Sequence, residues 1–366
     1  MPLYMDIHSV PGVKSKDVAE AHRKDLIHQH EYGCKCMTYW IDEERETIFC
    51  LIDATNKDAV KEMHSKAHGL VPNKIIEVSS SIVQSFLGRI YDPEDAAITE
   101  DGLKVFADPS FRILVVTKIN DPVLLQHQLG FERANEFIKR HNEIIRKNIL
   151  LHGGSEVEHG GEGFIISFTS AVKAVSCSLA IQKDMPVFDS TILGFKAGIN
   201  GGEPIEKSNK LFGDAIQFGH YLCTITDHSQ IAIASKVKDL VSRDILQNKA
   251  GHFRFLSPQD EEILHLLFTK LEEKWQDSDF DIPEYCQEMA MSQSQLYRKT
   301  TALTGFSSNA LLKEFRLEKA KDLMKKQRYT ISQITFESGF TSPSYFTKCF
   351  KKKYGLLPMK YVDLLH

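Results

Sequence analysis

Six of the fifteen histidines fall within the first 79 residues, several at spacings that let side chains meet. His64 and His68 are four apart on a segment of helical rhythm, NKDAVKEMHSKAHG, so both project from one helix face and can hold one ion. His22 and Asp25 share a face of an earlier helical segment, SKDVAEAHRKDLIHQHEYG. Asp6 and His8 are two apart on the extended run PLYMDIH and share one face of a sheet. Cys50, in TIFCLIDA, adds a soft donor. Imidazole with carboxylate and thiolate suits nickel, zinc or copper better than magnesium or calcium. The alternative is that histidines on amphipathic helices pack or solvate, which is the reading for His28 and His30.

A second set of chemistry-bearing residues lies near the C-terminus. In IPEYCQEMAMSQSQLYRKTTALTG, Ile282, Cys286 and Met289 recur at helical spacing. Ser292 is placed to cap a second helix that Gly305 closes. Leu296 and Leu303 face inward on it, which turns Gln293, Ser294, Tyr297 and Arg298 outward. The plan repeats in TISQITFESGF and TSPSYFTKCFKKKYG. There, Ile331 and Ile334 mark a short helix, Gly339 the turn, Ser342 the cap, Pro343 the first helical position and Gly355 the stop. Phe346 and Phe350 point inward. Ser344, Tyr345, Thr347 and Lys348 point outward, and Lys351 joins them as a candidate contact. Helices that turn hydrogen-bonding groups and a guanidinium outward suit the major groove of DNA. Between the units, Leu312, Phe315, Leu317, Ala320 and Leu323 mark a connecting helix expected to carry a basic outer face.

Charge follows the same division. From Arg298 to Lys360 there are fourteen Lys plus Arg against four Asp plus Glu, a balance of +10 on a chain of formal charge −4. Residues 260–288 hold ten acidic and two basic residues. A basic lobe on an acidic chain is the footprint of a phosphate-binding surface. A solvated helical face is the alternative, and the matched design of the two capped helices disfavours it.

The elements that must position these residues follow from the apolar pattern. At 366 residues and 42% hydrophobic content, two or three globular domains of a multidomain α+β protein are expected. No apolar run approaches the roughly 20 residues of a membrane helix, and MPLYMDIHSV does not read as a signal peptide. Seven scattered cysteines are expected to be reduced thiols in a cytoplasm. Residues 1–79 predict a ferredoxin-like βαββαβ domain with two helices on one face of an antiparallel sheet. Residues 80–110 read as a linker carrying a short amphipathic helix on Ile82, Phe86 and Ile90. Residues 111–250 alternate strands and helices, with FRILVVTKI as a buried strand, one long helix from His127 to Gly154 and SEVEHGGEGFIISF as a hairpin. They predict an α+β sandwich. Residues 260–366 form the all-α tandem helix-turn-helix.

Three resemblances rest on these residues. MDIH, AEAHRKDL, TYWID, TIFCLIDA and MHSKAHGLVPNKIIEV together resemble a small nickel-binding domain family of ferredoxin-like fold. That resemblance implies a metal held among His8, His22, Cys50, His64 and His68. MSQSQLYRKTTALTG, RLEKAKDLM, ITFESGF and SYFTKCFKKKYGLLPMKY resemble the AraC/XylS-type DNA-binding domain, whose two recognition helices enter successive major grooves of double-stranded DNA. The resemblance implies Ser294, Tyr297 and Arg298 on one groove, with Gln293 beside them. Ser344, Thr347, Lys348 and Lys351 fall on the other. Phe336 stands where that family usually carries a small residue.

The middle segment, through GGEGFIISF, KAGINGGEP, LFGDAIQFGHYL and QIAIAS, resembles the catalytic domain of class III nucleotide cyclases. That family holds two metal ions on a triphosphate with two carboxylates. The matching positions here are Lys118 and Glu162. The family's asparagine and arginine fall at Gln217 and Tyr221, and its purine-selecting lysine at Glu158. Lysine repels the ion it should bind, and tyrosine supplies no guanidinium. A non-catalytic fold is therefore expected, with Asp121 and Asp214 holding no motif position. The cleft around Lys118 and Tyr221 either binds a nucleotide or other small effector, or the domain is only a platform for a homodimer. The whole is expected to be a cytoplasmic one-component transcription regulator, whose metal- or ligand-sensing front controls dimer geometry. An active cyclase coupled to DNA binding, and a ligand-independent architectural DNA-binding protein, are the competing readings.

Overall fold

The computed structural model describes residues 1–186, 194–226, 230–247 and 250–365. Strands β1 (Leu3–Ser9), β2 (Cys34–Asp42), β3 (Thr47–Ala54) and β4 (Lys74–Val78) pair antiparallel in the order β2-β3-β1-β4. Helices α1 (Ser15–His28) and α2 (Lys57–Ala67) cover one face, where Val18, Ala19, Val60 and Met63 pack with Tyr4, Tyr39, Ile41 and Ile52. Asn56 starts α2 by accepting from the backbone N–H groups of Asp58 and Ala59.

The strands of this sheet do not alternate buried and exposed. In β3 every residue from Thr47 to Ile52 is buried, the mark of a strand covered on both faces. The second cover is α3 (Ser80–Leu87) and the middle of the chain: Met5, Trp40, Phe49, Leu51 and Ile76 meet Val83, Phe86, Leu87, Leu114, Leu211 and Phe212. Residues 80–110 are therefore not a linker. The packing face of α3 is Val83, Phe86 and Leu87, while Ile82 is exposed and Gly88 ends the helix before Ile90. Arg112, itself buried, donates from Nε to the carbonyl of Phe86 at 3.0 Å and from a guanidinium nitrogen to that of Leu87 at 3.2 Å. A cation at a helix C-terminus answers carbonyls that have no partner within the helix. A small ribbon, β5 (Ala97–Ile98) and β6 (Lys104–Val105), completes the segment.

The middle sheet comprises β7 (Arg112–Lys118), β8 (Ser155–Gly160), β9 (Gly163–Phe168), β10 (Lys196–Gly202), β11 (Ile231–Ile233) and β12 (Phe253–Phe255), in the order β12-β11-β10-β7-β9-β8. β12 has no counterpart in the sequence reading; its three residues pair parallel to β11. The long helix expected from His127 onward is two, α4 (Pro122–Leu129) and α5 (Phe131–Leu151). Gly130, at φ 81°, breaks the run in a conformation that L side chains avoid. α6 (Ala171–Asp184), α7 (Gly213–Ile225), α8 (Ser235–Lys238) and α9 (Arg243–Gln247) complete this region.

Seven helices follow: α10 (Pro258–Lys274), α11 (Ile282–Glu288), α12 (Gln293–Thr304), α13 (Ser308–Lys325), α14 (Ile331–Glu337), α15 (Pro343–Tyr354) and α16 (Pro358–Asp363). The expected caps form. Ser292 Oγ accepts from the N–H of Gln295, whose own side chain accepts from that of Ser292. Ser342 caps α15 on the N–H of Tyr345. The buried side chain of α11 is Tyr285, with Ile282 and Cys286 only partly covered; its hydroxyl donates to the carbonyl of Leu267 at 2.9 Å. Tyr285, Leu296, Leu303 and Leu311 join the core of the middle region through Leu264, Leu267 and Leu271 of α10. The second helical unit has its own core of Leu317, Ile334, Phe346, Phe350 and Tyr361, against which Val123 and Leu124 of α4 pack. No described helix is long and apolar enough to cross a membrane.

Because the N-terminal sheet and the middle region share a core, Phe49→Ala is expected to cost about 3–5 kcal/mol and to lower the midpoint of a single urea transition. Two separated transitions in the unsubstituted chain would show that the two regions fold independently.

Candidate metal centre and nucleic-acid interface

The N-terminal fold gathers its acid, imidazole and thiol groups beneath the helical layer. Asp6 and His8 leave one face of β1, Asp25 comes from α1, His64 from α2, and His68 from the residue that caps α2. His64 is fully buried and central. Its Nε2 lies 3.0 Å from Asp6 Oδ2, and its Nδ1 lies 3.1 Å from Asp25 Oδ1 and 3.0 Å from His68 Nε2. His8 Nε2 is 3.2 Å from Asp6 Oδ1, and His68 Nε2 is 3.2 Å from Asp25 Oδ1. The donors form two groups that share His64: Asp6, His8, Cys50 and His64, and Asp25, His64 and His68, with atoms in each within 4.8 Å of one another.

Burial alone would depress the His64 imidazolium, but Asp6 and Asp25 outweigh it and hold the ring up at about 10. Burial acts on both carboxylates in the opposite sense, and their histidine partners nonetheless hold them below the usual range. Burial, and then Asp6 and Asp25, push the Cys50 thiol well up. A metal must therefore displace protons from His64 and Cys50. The N–H of Leu70 donates to His68 Nδ1 at 3.2 Å, which puts the proton of a neutral ring on Nε2, facing Asp25. A metal taking that nitrogen requires the Leu70 contact to open. Asp6 Oδ1 is buried with no aligned hydrogen bond. A void of about 20 Å³ is lined by His8, His22, Asp25, Cys50 and His68 together with Val18, Ala21, Tyr39, Ile48 and Leu70. This donor set fits a borderline transition metal, with Asp6, His8, Cys50 and His64, or Asp25, His64 and His68, as the groups to hold it.

His22 belongs to neither group, contrary to the sequence expectation. Its Nε2 faces Asp92 Oδ2 at 3.6 Å, an acid from the segment misread as a linker, and its ring tilts against Tyr39. α1 does turn His22 and Asp25 inward together, but toward different partners. Asp6 and Asp25 organise the cluster. Their spacing to His8 and His22 was the available signal, and the 39 residues separating Asp25 from His64 hid the rest.

The candidate DNA contacts sit as the caps require. Gln293, Ser294, Tyr297 and Arg298 on α12 are exposed, as are Ser344, Lys348 and Lys351 on α15, with Thr347 half-buried. Phe336 is 53% exposed, so its bulk displaces nothing from a core. The connecting helix α13 differs from expectation, because its cations bind the protein itself. Lys321 is buried at 2.9 Å from Asp121 Oδ2, Lys325 pairs with Glu162, and Lys319 lies 2.6 Å from Glu272. Arg316 donates to the carbonyls of Trp275, Asp277 and Phe280. Only part of the local positive excess is free to meet phosphate.

The same contacts reach the cyclase-like motif positions. Glu162 is engaged by Lys325, and Lys118 Nζ lies 3.9 Å from Glu318 Oε2 of α13. Asp121, without a motif role in the sequence reading, is the most engaged acid there: Lys321 and the Tyr361 hydroxyl, 2.8 Å away, both donate to it. Burial would raise the Asp121 carboxyl, and Lys321 overrides it and holds the group low. Gln217 lines a cavity of about 980 Å³ together with Glu158, Lys210 and Ile82, and Glu158 also lines an adjoining one of about 190 Å³ with Lys118 and Glu162. Tyr221 does not face Lys118; it is buried and stacked on Phe268 of α10 at 4.6 Å between centroids.

Lys321→Met is expected to destabilise the chain by about 3–5 kcal/mol, because Asp121 stays buried without its cation. Adding Asp121→Asn should recover most of the loss in urea denaturation. Strict additivity of the two changes would refute the coupling.

Comparison with known proteins divides the chain along the same lines. Residues 4–78 match the family described as nickel responsive protein SCO4226-like, and residues 285–363 match the helix-turn-helix domain family. Histidine kinase P4 of Formosa agariphila is 37% identical over 106 residues, covering 29% of this chain and 8% of that protein. Putative adenylate cyclase 3 of Rhizobium meliloti is 27% identical over 135 residues, 32% of this chain and 23% of that protein. The HTH-type transcriptional regulator MtrA of Neisseria gonorrhoeae is 31% identical over 106 residues, 28% of this chain and 34% of that protein. The chain thus spans about a third or less of the length of these relatives. It carries an SCO4226-like N-terminal domain, a cyclase-like middle region and a C-terminal AraC-type helix-turn-helix domain.

Proposed function

We propose that this chain is a one-component, sequence-specific regulator of transcription, acting in the cytoplasm on double-stranded DNA. In this reading, residues 1–79 take a transition metal, 111–250 are a non-catalytic cyclase fold, and 260–366 bind DNA as part of a homodimer. The observation that carries it is the pair of capped helices, α12 and α15, whose polar and basic side chains stay exposed while Arg316, Lys319, Lys321 and Lys325 of α13 are bound internally. Gln293, Ser294, Tyr297 and Arg298 read one groove. Ser344, Thr347, Lys348 and Lys351 read the other.

The non-catalytic reading of the middle region is favoured by a specific contact. The ammonium group of Lys325 sits on Glu162, where a nucleotide–metal complex would need a free carboxylate, and a lysine, Lys118, stands at the other carboxylate position. Turnover of ATP or GTP with manganese to a cyclic product by the purified chain would overturn it. At the N-terminal cluster a bound nickel, zinc or copper ion would supply positive charge among donors otherwise bridged by protons. His64 and Asp6 would hold it, with Asp25 orienting the other face of the His64 ring.

Two outcomes test the reading. Arg298→Ala is expected to cost about 1–3 kcal/mol in binding to a selected DNA site and to relax specificity at one base position. Loss of affinity that is uniform across sequences would make Arg298 a phosphate contact instead. His64→Ala with His68→Ala is expected to abolish metal uptake in calorimetric titration with nickel, zinc or copper. Unchanged stoichiometry would remove the cluster from consideration.

A further inference from the structure

Arg254 lies on β12, at the edge of the middle sheet, and meets the C-terminal ends of two helices at once. One terminal guanidinium nitrogen donates to the carbonyl of Ile225, the last residue of α7. The other donates to the carbonyls of Leu303 at 2.6 Å and Ala302 at 3.3 Å, in the last turn of α12. A helix cannot satisfy these carbonyls from within. After Ile225 the backbone turns extended at Thr226 (φ −85°, ψ 143°), and after Thr304 it turns left-handed at Gly305 (φ 74°). The N–H of Phe306, which would reach Ala302 in a continuing helix, donates instead to Thr304 Oγ1 at 3.1 Å.

Each helix C-terminus carries a partial negative charge, so two that converge on one point repel unless a cation stands between them. A guanidinium suits that place, because its planar fork of donors reaches two acceptors in fixed directions, whereas an ammonium is a single point of charge. The apolar contacts of α12, through Leu296 and Leu303, place the helix against the middle region. They are not directional, and the bonds from Arg254 are. Gln293, Ser294, Tyr297 and Arg298 lie toward the opposite end of α12. With a rise of about 1.5 Å per residue, Ser294 stands roughly 13 Å from Leu303 along the axis, and a tilt of about 10° moves it by roughly 2 Å. Hydrogen bonds to base edges do not survive a shift of that size.

We propose that Arg254 is a positioning residue for DNA reading. It sets the tilt of α12 from the middle region, and with it the base specificity of the half-site that α12 reads, without touching DNA itself. This role presupposes that α12 reads DNA, as proposed above. Arg254 lies outside both matched family segments, residues 4–78 and 285–363.

The test is selection of sites from randomised duplexes by the full chain and its variants, followed by titration of the selected duplex and of random DNA at several salt concentrations. Arg298→Ala marks the half-site that α12 reads. Arg254→Ala is expected to lower base discrimination in that half about tenfold, to spare the half read by α15, and to leave the salt slope unchanged. Arg254→Lys keeps the charge but cannot bridge the two helix ends, and is expected to lose about threefold in the same half; it decides the matter where Arg254→Ala does not fold. Unchanged discrimination in the α12 half would overturn the proposal, as would equal loss in both halves, the mark of a general effect on folding. A uniform fall in affinity with the salt slope reduced by about one would also overturn it, by making Arg254 a phosphate contact. An unsubstituted chain that selects no sequence would instead overturn the DNA-reading role of α12, and this one with it.

Discussion

A carboxylate just beyond the central strand of the middle sheet, Asp121, is neutralised by a lysine two hundred residues further along the chain. The arrangement of the C-terminal half depends on that pair. Asp121 also caps α4 through the N–H of Val123, so the helix whose Val123 and Leu124 pack against the second helical unit starts from the same side chain. A buried charge without its partner is far costlier than an exposed one, whereas two well-packed apolar residues in the same place could be as stable. The pair therefore selects one docked arrangement rather than adding to stability at large. Lys325 on Glu162, Lys118 near Glu318 and Tyr361 on Asp121 repeat the choice along one seam.

The two helix-turn-helix units reach the middle region by different means. The first has no core of its own: Tyr285, Leu296 and Leu303 are continuous with the cluster that contains Phe164, Ile199 and Leu222. The second keeps a separate core and meets α4 across the ionic seam. α13 joins them and takes part in both contacts. Apolar packing is tolerant of small shifts, while ion pairs of defined geometry are not. The first unit is thus fixed by volume and the second by charge. A change in the middle region that parted Lys321 from Asp121 would release the second unit while leaving the first in place.

What could be read from the sequence follows from how local each signal was. The caps at Ser292 and Ser342 and the inward Phe346 and Phe350 depend on residues within one or two turns, and the structure has them as expected. The βαββαβ order was equally legible, because each strand and helix has its own period. The break at Gly130 was a local signal missed, but the larger misreadings involve distant partners. Residues 80–110 resemble a linker by composition, yet Val83, Phe86 and Leu87 fill a seam between two sheets that no local pattern announces. Lys321 reads as one more surface cation on a basic helix until Asp121 is brought against it. The histidines of the cluster could be found by spacing. Spacing also set Asp6 beside His8 and Asp25 beside His22, but could not bring either acid to His64, because contacts from β1 and α1 to α2 are made only in the folded sheet.

Any coupling between the N-terminal cluster and the DNA-binding units would therefore run through packing. The second face of the N-terminal sheet rests on Phe212 and Ala215, and Ala215 lies in the first turn of α7, the helix that also carries Phe218. Thr47 donates to Glu203, and Lys74 reaches three backbone carbonyls between Glu206 and Ser208, pinning the loop before α7 to the same sheet. A metal at His64 alters DNA affinity only if it binds two arrangements of this path unequally; tight binding to both would change nothing. The hydrogen bonds from Asp6 through His64 to Asp25 supply a basis for such inequality. They tie β1, α1 and α2 together, and a metal taking His64 would have to break them, which would bear on the sheet that faces Phe212.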